Sequence, residues 1–300
     1  MKKPIKHLAN IAATKVAKKA PIAKMAQKGF RPRVRSRHPS HSVLRKELPR
    51  MPFRSVVRLG STTPTPFDVK VECNSIQAVK NSSSKLLMKK CFEKGGVRTA
   101  TWWTTDGKGT FNLRDSNIKT DIFELPFPLI VKHIYGSRGT GNSKLNTVAD
   151  LTKFVQGKDM RNYIIEEYLP YLREYRLHVT KNGCFYTCRK MLKRDTPEEK
   201  KFQRHDDNCV WIIESNPSFD KPVNWDAVVA DCVKALKSIG LDIGAFDLKI
   251  QSATDGDGNP TKNPDWIVIE SCSAPSFGAI TAQKYKEEIP KILLQKHKEI

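Results

Sequence analysis

An ammonium group and a glycine-rich loop adjoin in the middle of the chain and could bind phosphate. Lys132 falls within the apolar segment 127–135, where a buried ammonium needs a charged or polar partner. The loop 136–143 follows at once, and its glycines allow backbone amides to approach an anion. Its candidate contacts are Gly136, Ser137, Arg138, Gly139 and Gly141. The alternative is an ordinary hairpin turn beside a lysine that reaches solvent. A P-loop is disfavoured, because Asn142 stands where that motif has its lysine.

Two acidic side chains in later apolar segments could hold a divalent cation. Asp247 lies in GAFDLKI and Glu270 ends WIVIE. Carboxylates on neighbouring strands repel each other, so burying both requires a cation between them. Magnesium suits this position, because it prefers hard oxygen ligands and shares them with ATP phosphates. The alternative is a single salt bridge for each acid, to Lys249 or Arg189.

The segment 166–176, EEYLPYLREYR, combines acids, a proline bend and an arginine. Two strands joined in this way predict a hinge between two lobes. Backbone groups at such a hinge can read an adenine edge, and a carboxylate there can accept hydrogen bonds from ribose hydroxyls. Arg176 is suited to a phosphate or to the carboxylate of a substrate. The alternative is a charged hairpin on the surface.

Hydrophobic periodicity predicts an α+β framework that positions these residues. A helix capped by Ser84 is predicted over 84–93, and an amphipathic helix over 225–239 ends at Gly240. A last helix is predicted at 285–296. The charged segment 194–208 is expected to form a mobile loop. Strands are predicted at 55–59, 99–104, 127–135, 163–169, 175–180, 185–192, 245–250 and 266–269.

The ordered set of these residues resembles the ATP-grasp superfamily, and within it the carboxylate–amine ligases of the D-alanine–D-alanine ligase and ribosomal-protein glutamate ligase type. No single motif is specific, but their order along the chain is. The resemblance covers about residues 80–300, and 51–80 is similar to a short, strand-rich remnant of the family's first domain. The matching positions are Lys85, Lys132, Glu167, Glu174, Asp247 and Glu270. The set also resembles ATP-grasp proteins encoded by large phages.

The resemblance implies two α/β lobes, about 81–168 and 169–300, with ATP bound between antiparallel sheets. Lys85 and Lys132 would contact the nucleotide, residues Glu167, Tyr168 and Leu169 would form the adenine hinge, and Glu174 would hold the ribose. Asp247 and Glu270 would bind Mg²⁺. The family chemistry forms an acyl-phosphate on a small-molecule or peptide carboxylate, which an amine or similar nucleophile then displaces. We expect Arg176 and Arg189, the latter on a strand facing the cleft, to anchor the transferred phosphate or the substrate carboxylate. Lys190, Lys193 and Arg204 are weaker candidates.

One position departs from the family pattern. Cys272 stands where the resemblance implies an asparagine as third metal ligand, and a thiol is a poor magnesium ligand. This departure supports an alternative function, a catalytically weak ATP-binding protein whose basic arm binds nucleic acid or another polyanion.

Positive charge is concentrated at the N-terminus. The net charge is +22, of which residues 1–50 supply +14 from nine lysines and six arginines against the single acid Glu47. We expect residues 1–50 to form a disordered basic arm. Three roles remain open for it: a solubilising tail, a contact for nucleic acid or another polyanion, or an organellar targeting peptide.

The remaining composition predicts an intracellular protein, most simply a cytoplasmic one. Seven cysteines without regular spacing argue against a disulfide framework and a zinc ribbon. The longest apolar runs, such as 128–131 and 266–269, are too short to cross a bilayer, so no membrane partner is expected.

Overall fold

In the part of the chain that the structure describes, helices cover three β-sheets. The computed structural model describes residues 29–300 except for twelve internal positions: Arg37, Ser137, Arg138, Thr140, Gln203, His205, Asp206, Asp207, Asp255, Gly256, Gly258 and Pro260. Hydrophobic residues form one main core at each sheet, and a small further cluster contains Trp102, Ile134 and Ile164.

The first sheet is parallel and lies close to the N-terminus. Its strands follow the order β1 (Arg33–Arg35), β2 (Ser55–Arg58) and β3 (Val71–Cys73). A short helix, α1 (Ser42–Glu47), connects the first two strands, and α2 (Ile76–Ser83) follows the third.

Ordered structure therefore begins well before residue 53, and the predicted arm over residues 1–50 is too long. Val34, Leu44 and Leu48 are buried in a core that they share with the last helix, α6 (Ala279–Lys298). The arginines and prolines around these residues suggested an extended segment, but every few positions an apolar side chain points inward. Residues 1–28 lie outside the described part of the chain.

The second sheet has six strands, all paired antiparallel, and forms the first lobe. In spatial order the strands are β6 (Lys119–Asp121), β5 (Thr110–Leu113), β4 (Trp102–Thr105), β9 (Tyr163–Glu167), β7 (Leu129–His133) and β8 (Ser143–Leu145). A helix, α4 (Val148–Val155), begins at Thr147, whose side chain accepts a hydrogen bond from the amide of Asp150.

The third sheet is antiparallel and forms the second lobe. Its order is β12 (Cys209–Ile213), β11 (Gly183–Leu192), β10 (Arg173–Thr180), β13 (Ile243–Ile250) and β14 (Trp266–Cys272). The predicted amphipathic helix is α5 (Trp225–Ile239), and its apolar side covers this sheet. It ends at Gly240, which has φ +87°, a conformation that glycine adopts without strain.

Helix α3 (Lys85–Gly95) packs against the second lobe, whereas the prediction assigned residues 81–168 to the first lobe. Ser84 caps it as predicted, by accepting a hydrogen bond from the amide of Leu87 at 3.4 Å. Its buried residues Met88 and Phe92 belong to the core of the second lobe, beside α5. The helix therefore delivers Lys85 to the cleft from the second lobe's core.

Within the described residues, all seven cysteines are free thiols. None of the helices in those residues is both long enough and apolar enough to cross a lipid bilayer.

Candidate functional site

A cleft of about 500 Å³ lies between the antiparallel sheets of the two lobes. It collects side chains that are far apart in the sequence, from both sheets and from helix α3. Lys132 faces the same space as Asp247 and Glu270, as the sequence predicted. The charged residues that line the cleft are Lys85, Lys132, Glu166, Glu167, Glu174, Arg176, Lys190, Arg204, Asp247, Lys249 and Glu270.

A buried carboxylate holds two lysines on the first-lobe side of the cleft. Lys132 Nζ donates to Glu166 Oε2 at 2.8 Å, and Lys89 Nζ lies 3.3 Å from the same oxygen. Burial raises the pKa of Glu166, but the two ammonium groups outweigh that effect and lower it. Burial lowers the pKa of Lys89 to about 8, because Glu166 compensates it only in part. Glu166 thus orients Lys132 towards the cleft.

Lys85 lies where the glycine loop meets the second lobe. Its ammonium donates to the Gly136 carbonyl and lies 3.7 Å from Glu270 Oε1. Gly139 and Gly141 have φ +71° and +77°, so the turn uses conformations that favour glycine. Of this loop's predicted contacts, Gly139 lines the cleft, whereas Ser137 and Arg138 fall outside the described residues.

A network of four charged side chains covers the floor of the cleft on the second lobe. Arg176 donates to Asp247 through Nε at 2.6 Å and Nη2 at 2.8 Å. Lys190 Nζ bridges Asp247 Oδ2 at 2.7 Å and Glu174 Oε1 at 2.9 Å. Burial raises the pKa of Asp247, but Arg176 and Lys190 together hold it well below its usual range. Burial lowers the pKa of Lys190, but its two carboxylate partners raise it by more, so the pKa lies above its ordinary value.

Arg189 does not face the cleft, so that prediction is wrong. It pairs in register with Tyr175 on β10, and its Nη1 donates to the Ser218 carbonyl at 2.8 Å on the opposite side of the sheet. Its acidic neighbour there is Asp220, at 3.3 Å. Successive residues of a strand point to opposite faces, so Lys190 takes the position in the cleft.

The predicted hinge crosses from the first lobe to the second along one edge of the cleft. The Glu167 amide donates to the Thr101 carbonyl at 2.9 Å, and the Tyr168 amide donates to the Pro128 carbonyl at 3.1 Å. Leu169 also lines the cleft. Among the backbone hydrogen bonds of the described residues, none uses the Leu169 amide.

The acids in the cleft fit a magnesium ion that takes most of its ligands from phosphate and water. Asp247 and Glu270 are register partners on β13 and β14, as a shared cation requires. Asp247 already accepts three hydrogen bonds, whereas the Glu270 side chain is 42% exposed and, among the described residues, pairs with Lys85 alone. Cys272 is a register partner of Ala245 beside them, and burial raises the pKa of its thiol, so it stays protonated and is a poor ligand.

Among the described residues, His, Cys, Asp and Glu form no group of three or more that could hold a metal ion by themselves. Magnesium does not need such a group, because one or two carboxylates suffice when substrate phosphates complete its coordination.

Several residues of the site were missed or underrated from the sequence. Glu166 was included in the predicted hinge segment but was given no role of its own, although consecutive residues of a strand point to opposite faces. Lys89 lies one helical turn after Lys85, a spacing that could have indicated a shared face. Trp211 has no local signal; it lies on the edge strand β12, with the Arg176 guanidinium 5.0 Å from its ring centre.

Comparison with known proteins supports the fold. The chain matches no known family profile and no curated protein sequence. Among solved structures, D-alanine–D-alanine ligase from Bacillus anthracis matches with a TM-score of 0.53 and 15% identity, over 76% of this chain and 73% of the ligase. The same ligase complexed with ATP gives a TM-score of 0.51, 14% identity, and coverage of 76% and 72%.

A third structure, carboxyaminoimidazole ribonucleotide synthase from Aspergillus clavatus complexed with ATP, matches with a TM-score of 0.50 and 16% identity. The match covers 73% of this chain and 53% of the synthase. These similarities confirm the predicted fold: the chain has the mixed α and β architecture of the ATP-grasp ligases, with a cleft between antiparallel sheets.

Proposed function

We propose that this protein is an ATP- and magnesium-dependent ligase that activates a carboxylate as an acyl-phosphate and joins it to an amine or similar nucleophile. The observation that supports this most strongly is the cleft itself. Lys132 enters it from the first lobe, whereas Lys85, Asp247 and Glu270 line it on the side of the second lobe. Cations and acids in one cavity between two lobes suit a triphosphate together with its divalent ion.

In this proposal the hinge holds the nucleoside and the lysines hold the phosphates. The Leu169 amide reads the adenine edge, since the amides of Glu167 and Tyr168 are already engaged. Glu174 faces the ribose, although Lys190 neutralises it in the present arrangement. Lys85 and Lys132 bind phosphate oxygens, which replace the Gly136 carbonyl and supplement Glu166 as their partners.

Glu270 would hold magnesium together with one oxygen of Asp247. When bound, the ion would neutralise charge on the phosphates during transfer. Arg176 and Lys190 fix the Asp247 carboxylate in one orientation by three short hydrogen bonds. That arrangement keeps the second lobe's charges in place before the nucleotide arrives, so little reorganisation is needed.

The reaction proceeds in two displacements. A substrate carboxylate oxygen attacks the γ-phosphorus, the bond to the β–γ bridging oxygen breaks, and ADP leaves. An amine then attacks the acyl carbon, loses a proton, and expels inorganic phosphate. Lys132 and Lys190 face the cleft and stabilise the negative charge of the transferring phosphoryl group.

The test is to incubate the full chain with Mg–ATP and pooled carboxylates, amino acids and peptides, and to measure ADP and phosphate. Hydroxylamine added in place of the amine traps an acyl-phosphate as a hydroxamate. We expect Glu270→Gln to lower ADP formation at least 100-fold, the size of loss typical when a transition-state charge partner is removed. The control Glu287→Gln, on the exposed side of α6, should leave the rate unchanged.

A second candidate is an ATP-binding protein with little catalysis, and two observations favour it. Cys272 replaces a hard ligand, and Asp247 is almost saturated by Arg176 and Lys190. Tight binding of Mg–ATP without ADP, phosphate or hydroxamate from any pool would select this candidate over the ligase. Failure to bind a nucleotide would exclude both.

A further inference from the structure

A second cavity, of about 1060 Å³, lies beside the N-terminal sheet. It is formed by β1 with the residues just before it, by residues 45–55, and by the loop after β2. Its lining contains six arginines and no acidic residue. We call these residues the arginine groove: Arg31, Arg33, Arg35, Arg45, Arg50 and Arg54.

No carboxylate of the described residues neutralises the six guanidinium groups. Within the part of the chain that the structure describes, none of them pairs with a carboxylate; Arg50, for example, donates to the Gly29 carbonyl at 3.0 Å. Arg58, the last residue of β2, lies outside the groove and differs from these six because it pairs with Glu72 at 2.9 Å. Arg35 Nε is buried and has no hydrogen-bond partner among the residues that the structure describes. Charges of one sign in one concavity create a strong attraction for an anion.

Two aromatic rings give the groove flat surfaces. Arg54 lies 5.4 Å from the ring centre of Phe30, which is 47% exposed, and Arg33 lies 5.5 Å from that of Phe67. Planar guanidinium groups match phosphate oxygens, and aromatic rings stack on nucleobases. An acidic peptide would use the charges but would leave the rings without a planar partner, so the lining favours a nucleic acid.

The sequence that leads into the groove has the same charge. Residues 1–28 contain eight lysines and no acidic residue, and Gly29, where the described chain begins, lines the groove. Positive charge therefore also dominates the sequence that precedes the groove.

We propose that the arginine groove binds a single-stranded nucleic acid, with its phosphates on the arginines and with bases stacked on Phe30 and Phe67. This site is separate from the cleft and does not depend on ligase activity.

The test uses the full chain and fluorescein-labelled 20-nucleotide oligo-dT and oligo-U, with anisotropy measured at several salt concentrations. We expect the double variant Arg33→Glu/Arg54→Glu to bind at least tenfold more weakly. Its plot of log affinity against log salt should become shallower by roughly 1.4, about 0.7 for each lost phosphate contact. The control Lys237→Glu/Lys262→Glu makes the same change in net charge at exposed residues outside the groove and should stay within threefold of the parent chain.

Three results would overturn the proposal: no binding by the parent chain, an equal loss in both double variants, or competition by polyglutamate as strong as that by unlabelled oligonucleotide. The last would identify an acidic-peptide site. Thermal unfolding and Mg–ATP binding check that the groove variant is folded. If it is not, Phe30→Ser, at an exposed position, replaces it; an affinity loss of about fivefold supports stacking, and unchanged affinity refutes it.

Discussion

At the scale of single residues, the cleft depends on which side of a strand each charge occupies. Arg189 and Lys190 are adjacent and both basic, yet they point to opposite faces of β11. Of the two, Lys190 faces the cleft in which we propose that a nucleotide binds, and it also holds Glu174 and Asp247 in place.

We therefore predict that Lys190→Met weakens binding of Mg–ATP at least tenfold, because it removes the cation that neutralises two buried acids beside the phosphates. The matched variant Arg189→Met should change nucleotide affinity less than twofold. Isothermal titration calorimetry with a non-hydrolysable ATP analogue measures both. An equal loss in the two variants would show that the face assignment is incorrect.

Glu166 and Glu167 give a second matched pair. Glu166 is buried and compensates two ammonium groups, so Glu166→Gln should destabilise the fold by about 3 kcal/mol, as expected when one partner of a buried ion pair is removed. Glu167 is only half-buried, and Glu167→Gln should cost below about 1 kcal/mol. Urea denaturation followed by circular dichroism measures both; a smaller loss for Glu166→Gln than for its neighbour would contradict this account.

At the scale of elements, one asparagine joins the N-terminal sheet to the second lobe. Asn74 is fully buried and has φ +62°. Its side chain donates to the carbonyls of Arg58 at 3.0 Å and Ile243 at 2.9 Å, and accepts from the amides of Asp242 at 2.8 Å and Ile243 at 3.1 Å. These bonds connect β2 to the start of β13.

Asn74→Ala should lower the free energy of unfolding by roughly 4 kcal/mol, because it leaves several buried backbone groups without partners, each costing about 1–3 kcal/mol. Asn81→Ala is the control, since Asn81 donates one bond across the neighbouring helices, to the Ile239 carbonyl at 3.1 Å. It should cost about 1 kcal/mol. Chemical denaturation is the measurement, and similar losses for both variants would refute the role of Asn74 as a joint.

Where α6 covers β10, a buried histidine makes stability depend on pH. His178 lies near the Tyr285 hydroxyl, with 3.1 Å between Nδ1 and that oxygen. Burial, and to a lesser degree the charge of Arg176, lowers the pKa of His178 from 6.5 to about 3. Below pH 6.5, His178 therefore binds a proton in the unfolded chain but stays neutral in the folded chain down to about pH 3. Stability consequently falls as pH falls through this window.

By this linkage, His178 should remove about 2 kcal/mol of stability between pH 7 and pH 5. The variant His178→Gln should lose correspondingly less over the same interval. Urea denaturation of both proteins at pH 7, 6 and 5 measures the difference, and the comparison cancels the contribution of His41, whose pKa burial also lowers. Identical pH profiles would show that the pKa of His178 is the same in the folded and unfolded chains, and would contradict this prediction.

At the scale of the whole molecule, the N-terminal sheet and the second lobe share a core through α6. Val34, Leu44 and Leu48 contribute to that core together with Ile289 and Leu293. The N-terminal sheet is therefore part of the fold that supports the cleft, and not an appendage to it.

Deletion of residues 1–50 should accordingly cost at least about 4 kcal/mol, since burying each large apolar side chain contributes about 1.5–3 kcal/mol. Deletion of residues 1–28 removes none of the core described here and should change stability by less than about 1 kcal/mol. Thermal and urea unfolding of the two truncated chains, with Mg–ATP binding as a second readout, measure the effect. Equal stability of the two would contradict the shared core.

The amino-acid sequence by itself determined several of the elements and the acidic and basic residues that they bring to the cleft. Apolar residues spaced at a period of 3.6 predicted α5, and a glycine predicted its end. The order of Lys85, Lys132, Asp247 and Glu270 predicted a site for phosphate and a cation. These features are local, because a strand, a cap or a glycine turn is specified by residues a few positions apart.

Only the tertiary structure decided which charges meet. The choice of Lys190 over Arg189, and of Glu166 as the partner of Lys132, depends on strand register, and a shift of one residue reverses every side chain. The ordered residues 29–50 likewise escaped prediction, because their scattered apolar side chains are buried by α6, more than 230 residues away in the sequence. Burial against distant partners, which no local pattern encodes, set the final arrangement of the site.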